Sequence, residues 1–390
     1  MLLIKNANLL NMAGIEYEQM DILIKANKIE QIGKINLEDY QELEIIDAKG
    51  KLVTPGLIDA HCHVGMMEDG MRDEGDDVNE MTNPIMPEVR GIDGIKPQDP
   101  AFRAALEAGI TTVITGPGSG DVIGGTFCAL KTHGKTVLDM VIVEEIAMKM
   151  ALGENPKRVY GNQNKAPMTR MGSAALMREA LFKAKSYHEK KKKYKEDVQN
   201  QILDAKEPDF DMKMESLSRV FDGLKVKIHA HQQDDIVTAI RIIDEFELDA
   251  SIDHCTEGYF IPEVLKSKKQ KIIIGPTLSS RSKIELKNLS FDGGNIYYKH
   301  DIPFALMTDH PVIPLEHALV QGAIYVSRGV PAIEILKALS INAARIVGLD
   351  YRIGSIEVGK DADIVIWSGD PFHYLTRPEK VIINGKVVIE

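Results

Sequence analysis

The chain has 390 residues, 44% hydrophobic and 27% charged, so about three quarters of its unfolded surface would be buried on folding and disorder is excluded as the main state. Its 47 basic residues against 58 acidic ones leave a net charge of −11, which argues against nucleic acid as a partner, because phosphate binding needs a basic surface. No apolar window of about 18 residues occurs, the N-terminal run MLLIKNANLL lacks a signal-peptide pattern, and Cys62, Cys128 and Cys255 are too few and too scattered for a disulfide framework, so a cytoplasmic protein without a membrane span is expected.

The first fifty residues read as short strands. LLIKNANLL, MDILIKANKIEQIG and EIIDAKGKLVTPG alternate apolar and polar residues between Asn, Gly and Pro punctuation. The last forty read the same way, with Asn384–Gly385 as a hairpin turn. Neither end alone has enough strands for a stable core, so the two are expected to meet in one small β-sandwich formed from residues 1–55 and 349–390.

Residues 56–348 alternate short apolar runs with amphipathic stretches. The runs are GLIDAH, TTVITGPG, GGTFCALKT, LDMVIVEE, KVKIHAH, DASIDHC, KIIIGPTL and PFALMTDH. Continuous apolar strands between helices imply parallel strands buried on both faces, and eight of them predict an α/β chain with a closed (β/α)8 TIM-like barrel. An open doubly wound sheet is the competing architecture. Residues 160–222 break the rhythm as a helical insertion, and Lys190–Lys193 within it read as a solvated helix face.

In a barrel the C-terminal ends of the strands carry the chemistry. The chain places His61 and His63 after GLIDA, His229 after KVKI, His254 after ASID and Asp309 after FALMT. Residues i and i+2 of a strand share a face, so His61 and His63 can bind one ion while Cys62 turns away. Each of these residues taken singly is more often a hydrogen-bonded structural group or a turn residue. Their coincidence at successive strand ends favours an N/O site for Zn²⁺, with Fe²⁺ or Mn²⁺ as alternatives.

The run VTPGLIDAHCHVG resembles the first-strand signature of the amidohydrolase superfamily. INAARIVGLDYRIGSIEVGKDADIVIW is similar to that superfamily's return into its β-sandwich, and IHAHQ, IDHC and TDHP resemble its fifth-, sixth- and eighth-strand motifs. The likeness covers nearly all of the chain outside 160–222 and is nearest the imidazolonepropionase-like and prolidase-like branches. It implies a metal-dependent hydrolase that cleaves an amide or cyclic amide C–N bond of a small molecule by attack of a metal-activated hydroxide. On that resemblance His61, His63 and Asp309 hold the more buried metal, and His229 is the fifth-strand ligand. His254 either binds a second metal or hydrogen-bonds the substrate carbonyl, and Asp309 shuttles the proton. Binuclear relatives bridge two ions with a carbamylated lysine, a part Lys149 would take; the alternative is a lysine snorkelling from a helix. Glu144 or Glu145 could supply a carboxylate instead, and otherwise the site holds one ion.

His231 shares the face of His229 if the strand continues, as a ligand or substrate contact. His310 could orient Asp309 or contact substrate. Arg170 and Arg281 lie near strand ends, where an arginine can clamp a carboxylate, although an ordinary surface arginine is commoner. GPGSGDVIGG lacks the spacing of a nucleotide cradle and reads as a barrel loop. Cys128 and Cys255 read as packing residues. The rival functions are a prolidase-like dipeptidase and a ring deaminase; Gln232, Gln233 and Asp234 stand where deaminating relatives tend to carry a glutamate. A non-catalytic barrel used as a binding module is the rival from another class, and the full ligand set weighs against it. Barrels of this superfamily often pair, so a homo-oligomer is compatible with the sequence.

Overall fold

The computed structural model describes residues 1–14, 16–40 and 42–390, apart from the side chains at positions 16–18, 39 and 72. Its strands are β1 (Leu2–Leu10), β2 (Glu16–Lys25), β3 (Lys28–Gly33), β4 (Glu44–Asp47), β5 (Leu52–Pro55), β6 (Leu57–Cys62), β7 (Ile110–Thr115) and β8 (Ile123–Lys131). They continue with β9 (Val141–Ala151), β10 (Lys225–Ala230), β11 (Ala250–His254), β12 (Lys271–Ile274), β13 (Phe304–Leu306), β14 (Ile364–Trp367), β15 (Pro378–Ile383) and β16 (Lys386–Ile389).

Both chain ends enter one sheet. Its order is β16-β15-β14-β5-β1-β2-β3, with β4 beside β1. The joint is β5, which pairs parallel with β1 and antiparallel with β14, Val53 lying opposite Ile366. Asn384 and Gly385, at φ +49° and +73°, make the two-residue turn between β15 and β16 that the dipeptide predicts. The strand period of two then separates the faces. Ile364, Ile366 and Ile382 join Leu2, Ile4, Ile22 and Ile24 in the core of this sheet. Val365, Trp367, Val381 and Ile383 turn the other way, into the large core around the barrel.

The second sheet runs β6 to β13 in sequence order. Its edges meet beyond their last ladder residues: the Asp309 N–H donates to the His61 carbonyl at 3.1 Å, and the His63 N–H to the His310 carbonyl at 2.9 Å. The result is a nearly closed eight-stranded barrel within a mixed α/β fold. One expectation fails here. The barrel is not a uniform (β/α)8, because β8 runs antiparallel to both β7 and β9. The reason lies in the connections: residues 116–122 and 132–140 are shorter than the dozen or so residues a parallel crossover needs. Continuous burial, from which parallel strands were expected, arises equally in an antiparallel strand covered on both faces; every residue of β8 is buried.

Alternation also sets what faces the barrel interior. Met148 and Met150 of β9 and Val226, Ile228 and Ala230 of β10 belong to the outer core. Ala147 instead joins Ile58, Ala60, Phe127, Ala129, Ile273, Ala305 and Met307 in the inner one. Lys149 shares the face of Ala147, and Lys227 and His229 are turned away from the outer residues of β10.

Between β9 and β10 lie helices Glu154–Asn162, Arg170–Gln199 and Met212–Ser218; the last two fall within the expected excursion of 160–222, while the first begins six residues before it. The Thr169 hydroxyl accepts the Gly172 N–H and caps the long helix. Ala174, Met177, Leu181 and Ala184 form its buried stripe, at the spacing of one helix face. Beyond that stripe Lys190, Lys192 and Lys193 are exposed, and Lys191 pairs with Glu215 at 2.6 Å. Among the described residues no helix is long and apolar enough to cross a membrane.

Candidate active site

The end of β6 supplies two imidazoles whose orientation is dictated by their outer nitrogens. His61 Nδ1 lies 2.6 Å from Asp253 Oδ2, and His63 Nδ1 lies 2.7 Å from the Gly116 carbonyl oxygen. A carbonyl only accepts, so His63 must donate from Nδ1; a carboxylate favours the same tautomer in His61. Both Nε2 lone pairs then face inward. They lie 3.5 Å (His61) and 3.2 Å (His63) from Asp309 Oδ1. Cys62, between them, is buried in the outer core with its thiol pushed well up by burial.

Asp309 follows β13 at φ +54°, and His254 ends β11 at φ +72°. Both stand in the left-handed region that L-residues seldom occupy, a kind of strain that concentrates at functional sites. Burial would raise the Asp309 carboxyl, and the charge of the nearby buried Lys149 opposes that.

A second cluster adjoins the first. His229, His231 and His254 each offer a ring nitrogen within 4.8 Å of the others, as do His61, His63 and Asp309 in their own group. His254 Nδ1 lies 3.0 Å from the Gly275 carbonyl oxygen, so it too donates outward and leaves Nε2 as an acceptor. Burial and the neighbouring imidazoles push His254 and His231 well below the ordinary histidine value, and burial lowers His229. Neither His229 nitrogen, nor His231 Nε2, has a hydrogen-bond partner among the described residues.

Two lysines are buried in the barrel beneath these groups, each with its ammonium 5.5 Å from the Phe127 ring centre. Lys227 is paired: Nζ lies 2.9 Å from Asp253 Oδ2 and donates to the Ala60 carbonyl at 3.1 Å. Lys149 has a different neighbour, His61 Nε2 at 3.3 Å. Burial lowers Lys149 to about 8, against the opposing pull of Asp253 and Asp309.

This donor set fits a divalent metal. A lone pair on His63 Nε2 facing a carboxylate oxygen at 3.2 Å is a pair of acceptors that a cation between them reconciles. Unpartnered imidazole nitrogens in a buried cluster ask for the same thing. His61, His63 and Asp309 would hold one ion, with His229, His231 and His254 beside it.

The remaining sequence candidates lie outside these clusters. His310 is buried, but its ring nitrogens make no hydrogen bond among the described residues, and it is its main chain that engages His63. Arg170 pairs with Asp235 at 2.7 Å. Arg281 donates from Nε and Nη2 to the carbonyls of Lys287 and Leu289. Glu144 lies 2.5 Å from Arg90, and Glu145 is 2.8 Å from Arg219. Cys128 and Cys255 are buried and raised to about 12.

Three participants escaped the sequence reading: Asp59, Asp253 and Lys227. Asp59 accepts from the His61 N–H at 2.9 Å and from the N–H and hydroxyl of Thr308 at 2.9 and 2.6 Å, tying β6 to the Asp309 segment; burial raises it to about 6. Asp253 orients His61. A signal existed for both, since each is a charge inside an apolar run, which is costly unless paired.

A nearly closed barrel with imidazoles and a carboxylate gathered at the C-terminal ends of its strands defines a metal-site barrel enzyme. The chain belongs to the amidohydrolase family, whose profile matches residues 52–388. A crystal structure of an amidohydrolase from Thermotoga maritima MSB8 superposes with a TM-score of 0.93 at 40% identity, covering 100% of both chains. Amidohydrolase tasK of Hapsidospora irregularis is 27% identical over 94% of this chain, which spans 39% of that relative's length. The 5-methylthioadenosine/S-adenosylhomocysteine deaminase of Thermoanaerobacter pseudethanolicus is 26% identical over 100% of this chain and 94% of its own.

Proposed function

We propose that the protein hydrolyses an amide or cyclic amide C–N bond of a small molecule, using a divalent metal held by His61, His63 and Asp309. The observation that carries this reading is the convergence of two outward-anchored imidazoles and one carboxylate oxygen, at 3.5 and 3.2 Å, on a single point. A bound metal, zinc by preference with iron or manganese as alternatives, would lower the pKa of water to about 7 and polarise the carbonyl. Asp309 takes the proton of the attacking water and passes it to the leaving nitrogen. The tautomer of His254 leaves an acceptor in the site, which supports a ligand role over a hydrogen bond to substrate. With His229 it would hold a second ion.

Lys149 is suited to bridge two ions as a carbamate. Its ammonium, lowered to about 8, gives up one proton; the free amine then adds to the carbon of CO₂ and releases a second, so that two protons leave as a buried cation becomes a buried carbamate anion among ligands. Arg170 and Arg281 are retained as positions for a substrate carboxylate, through donors beyond those described above, and the buried His310 as a substrate contact. The terminal sheet is read as a small β-sandwich of residues 1–55 and 349–390 around the 56–348 barrel domain, in a cytoplasmic enzyme able to self-associate.

Metal content per chain tests the reading, on protein expressed with Zn²⁺ and bicarbonate. Hydrolysis of N-acyl amino acids and cyclic amides is then followed through chelation and metal return. Protein that holds no metal, or that keeps its activity without it, would overturn the proposal. Ring deamination is the second reading, favoured by the full-length likeness to the deaminase. Ammonia release from aminopurine nucleosides, without amide cleavage, would select it.

A further inference from the structure

We infer that Glu285 is the carboxylate ligand of a second divalent cation, held with His229, His231 and His254; this inference rests on the metal-hydrolase reading above. Glu285 comes from the short turn Ile284–Leu286 after β12 and is 2% exposed. Its Oε1 lies 3.7 Å from His229 Nε2 and 3.6 Å from His231 Nε2. Neighbouring ligand atoms on a tetrahedral zinc stand about 3.4 Å apart, given bonds of about 2.0–2.1 Å, so these spacings suit one shared ion. Both imidazole nitrogens lack a hydrogen-bond partner among the described residues, so the contacts are not ordinary hydrogen bonds.

The carboxylate is held in this position from behind. Its Oε2 accepts the Glu154 N–H at 3.1 Å. Gly153, at φ +86°, leaves room for it, since a Cβ there would stand 3.0 Å from Oε2. The added charge matters electrostatically. Three neutral imidazoles bring no charge to a dication in a buried pocket, whereas Glu285 cancels one of its two charges.

One competing cation is already nearby. Lys283 Nζ lies 2.8 Å from Glu285 Oε1 and 3.1 Å from Asn155 Oδ1, at the mouth of the cluster. Were Glu285 only the partner of Lys283, loss of either residue would disturb the site alike. As a ligand, Glu285 and its lysine neighbour act in opposite directions, because Lys283 repels the ion and competes for the same oxygen.

The test therefore uses two variants of the full-length protein, Glu285→Gln and Lys283→Met. Each is checked for folding by thermal melting and titrated with Zn²⁺ against a chromophoric chelator and with Co²⁺ by visible absorption. In Glu285→Gln the second equivalent is expected to weaken at least roughly 10- to 100-fold with an altered Co²⁺ spectrum, while the first stays tight. Lys283→Met is expected to bind the second equivalent as tightly or more tightly. Unchanged affinity in Glu285→Gln, parallel weakening in both variants, or a wild-type protein that takes one equivalent would overturn the inference and leave the hydrolase reading standing. Wild-type protein that takes no metal would overturn both.

Discussion

Asp309 meets His61 twice: its N–H donates to the His61 carbonyl at 3.1 Å, and its Oδ1 lies 3.5 Å from His61 Nε2. The backbone bond helps join the last barrel strand to the first, and the side-chain contact belongs to the proposed metal site. Barrel closure and site assembly are therefore one event. A register slip that opened the seam would also separate these two groups.

Asp309→Asn separates proton transfer from that architecture. The amide keeps the side chain's shape and an acceptor oxygen, so the fold and most of the bound metal should remain. Turnover should fall by roughly 10²- to 10⁴-fold, the usual range for loss of a general acid–base group. Steady-state rates beside metal content check this, and near-normal turnover would remove the proton-shuttle role.

Asp253→Asn strikes the group that orients His61. Loss of such an outer partner commonly weakens metal affinity by about 10- to 100-fold. It also leaves the Lys227 ammonium buried without its counter-charge, at a cost of about 3–5 kcal/mol. Chelator competition and denaturant melts would report the two effects separately. A variant as stable as wild type would show that the Lys227–Asp253 pair adds nothing to stability.

Lys149 gives a pH prediction for the metal-free, carbonate-free protein. Burial lowers its pKa from 10.5 to about 8, so between those values the unfolded chain binds more protons and stability rises with pH. Below about pH 8 the full penalty applies, about 3 kcal/mol at 1.36 kcal/mol per unit. Lys149→Met should therefore raise the melting temperature at pH 7, and the advantage should shrink by pH 10. Equal melting temperatures at pH 7 would show that the lysine is already compensated.

In the metal-loaded state the same lysine predicts the reverse. Lys149→Ala should lose metal relative to wild type, and bicarbonate should raise metal content in wild type alone. Full occupancy in Lys149→Ala would remove the bridging role.

Gly109→Ala tests the seam between barrel and terminal sheet. Gly109 has φ +84°, and a Cβ there would come within 2.9 Å of the Trp367 ring, which is buried and anchored by its indole N–H on the Thr54 hydroxyl at 2.9 Å. Strain and overpacking should cost about 1–3 kcal/mol in a denaturant melt without changing metal content. An unchanged midpoint would mean that the indole moves freely.

Local pattern by itself determined the repeating units of this protein. Each apolar run marks its own strand end through neighbouring residues alone, which is why His61, His63, His229, His254 and Asp309 were legible as strand-terminal groups. The Asn384–Gly385 turn and the helical excursion were legible for the same reason, since turn chemistry and a 3.6-residue stripe are short-range signals. Tertiary structure alone decided the rest. The direction of β8 depends on which neighbours it joins, and burial on both faces looks alike in parallel and antiparallel strands. Asp253 reaches His61 across 192 positions, and Thr308 reaches Asp59 across 249. Glu285 comes from a loop with no periodicity. Partners of that kind leave no local trace, because their pairing energy appears only once the barrel has closed around them.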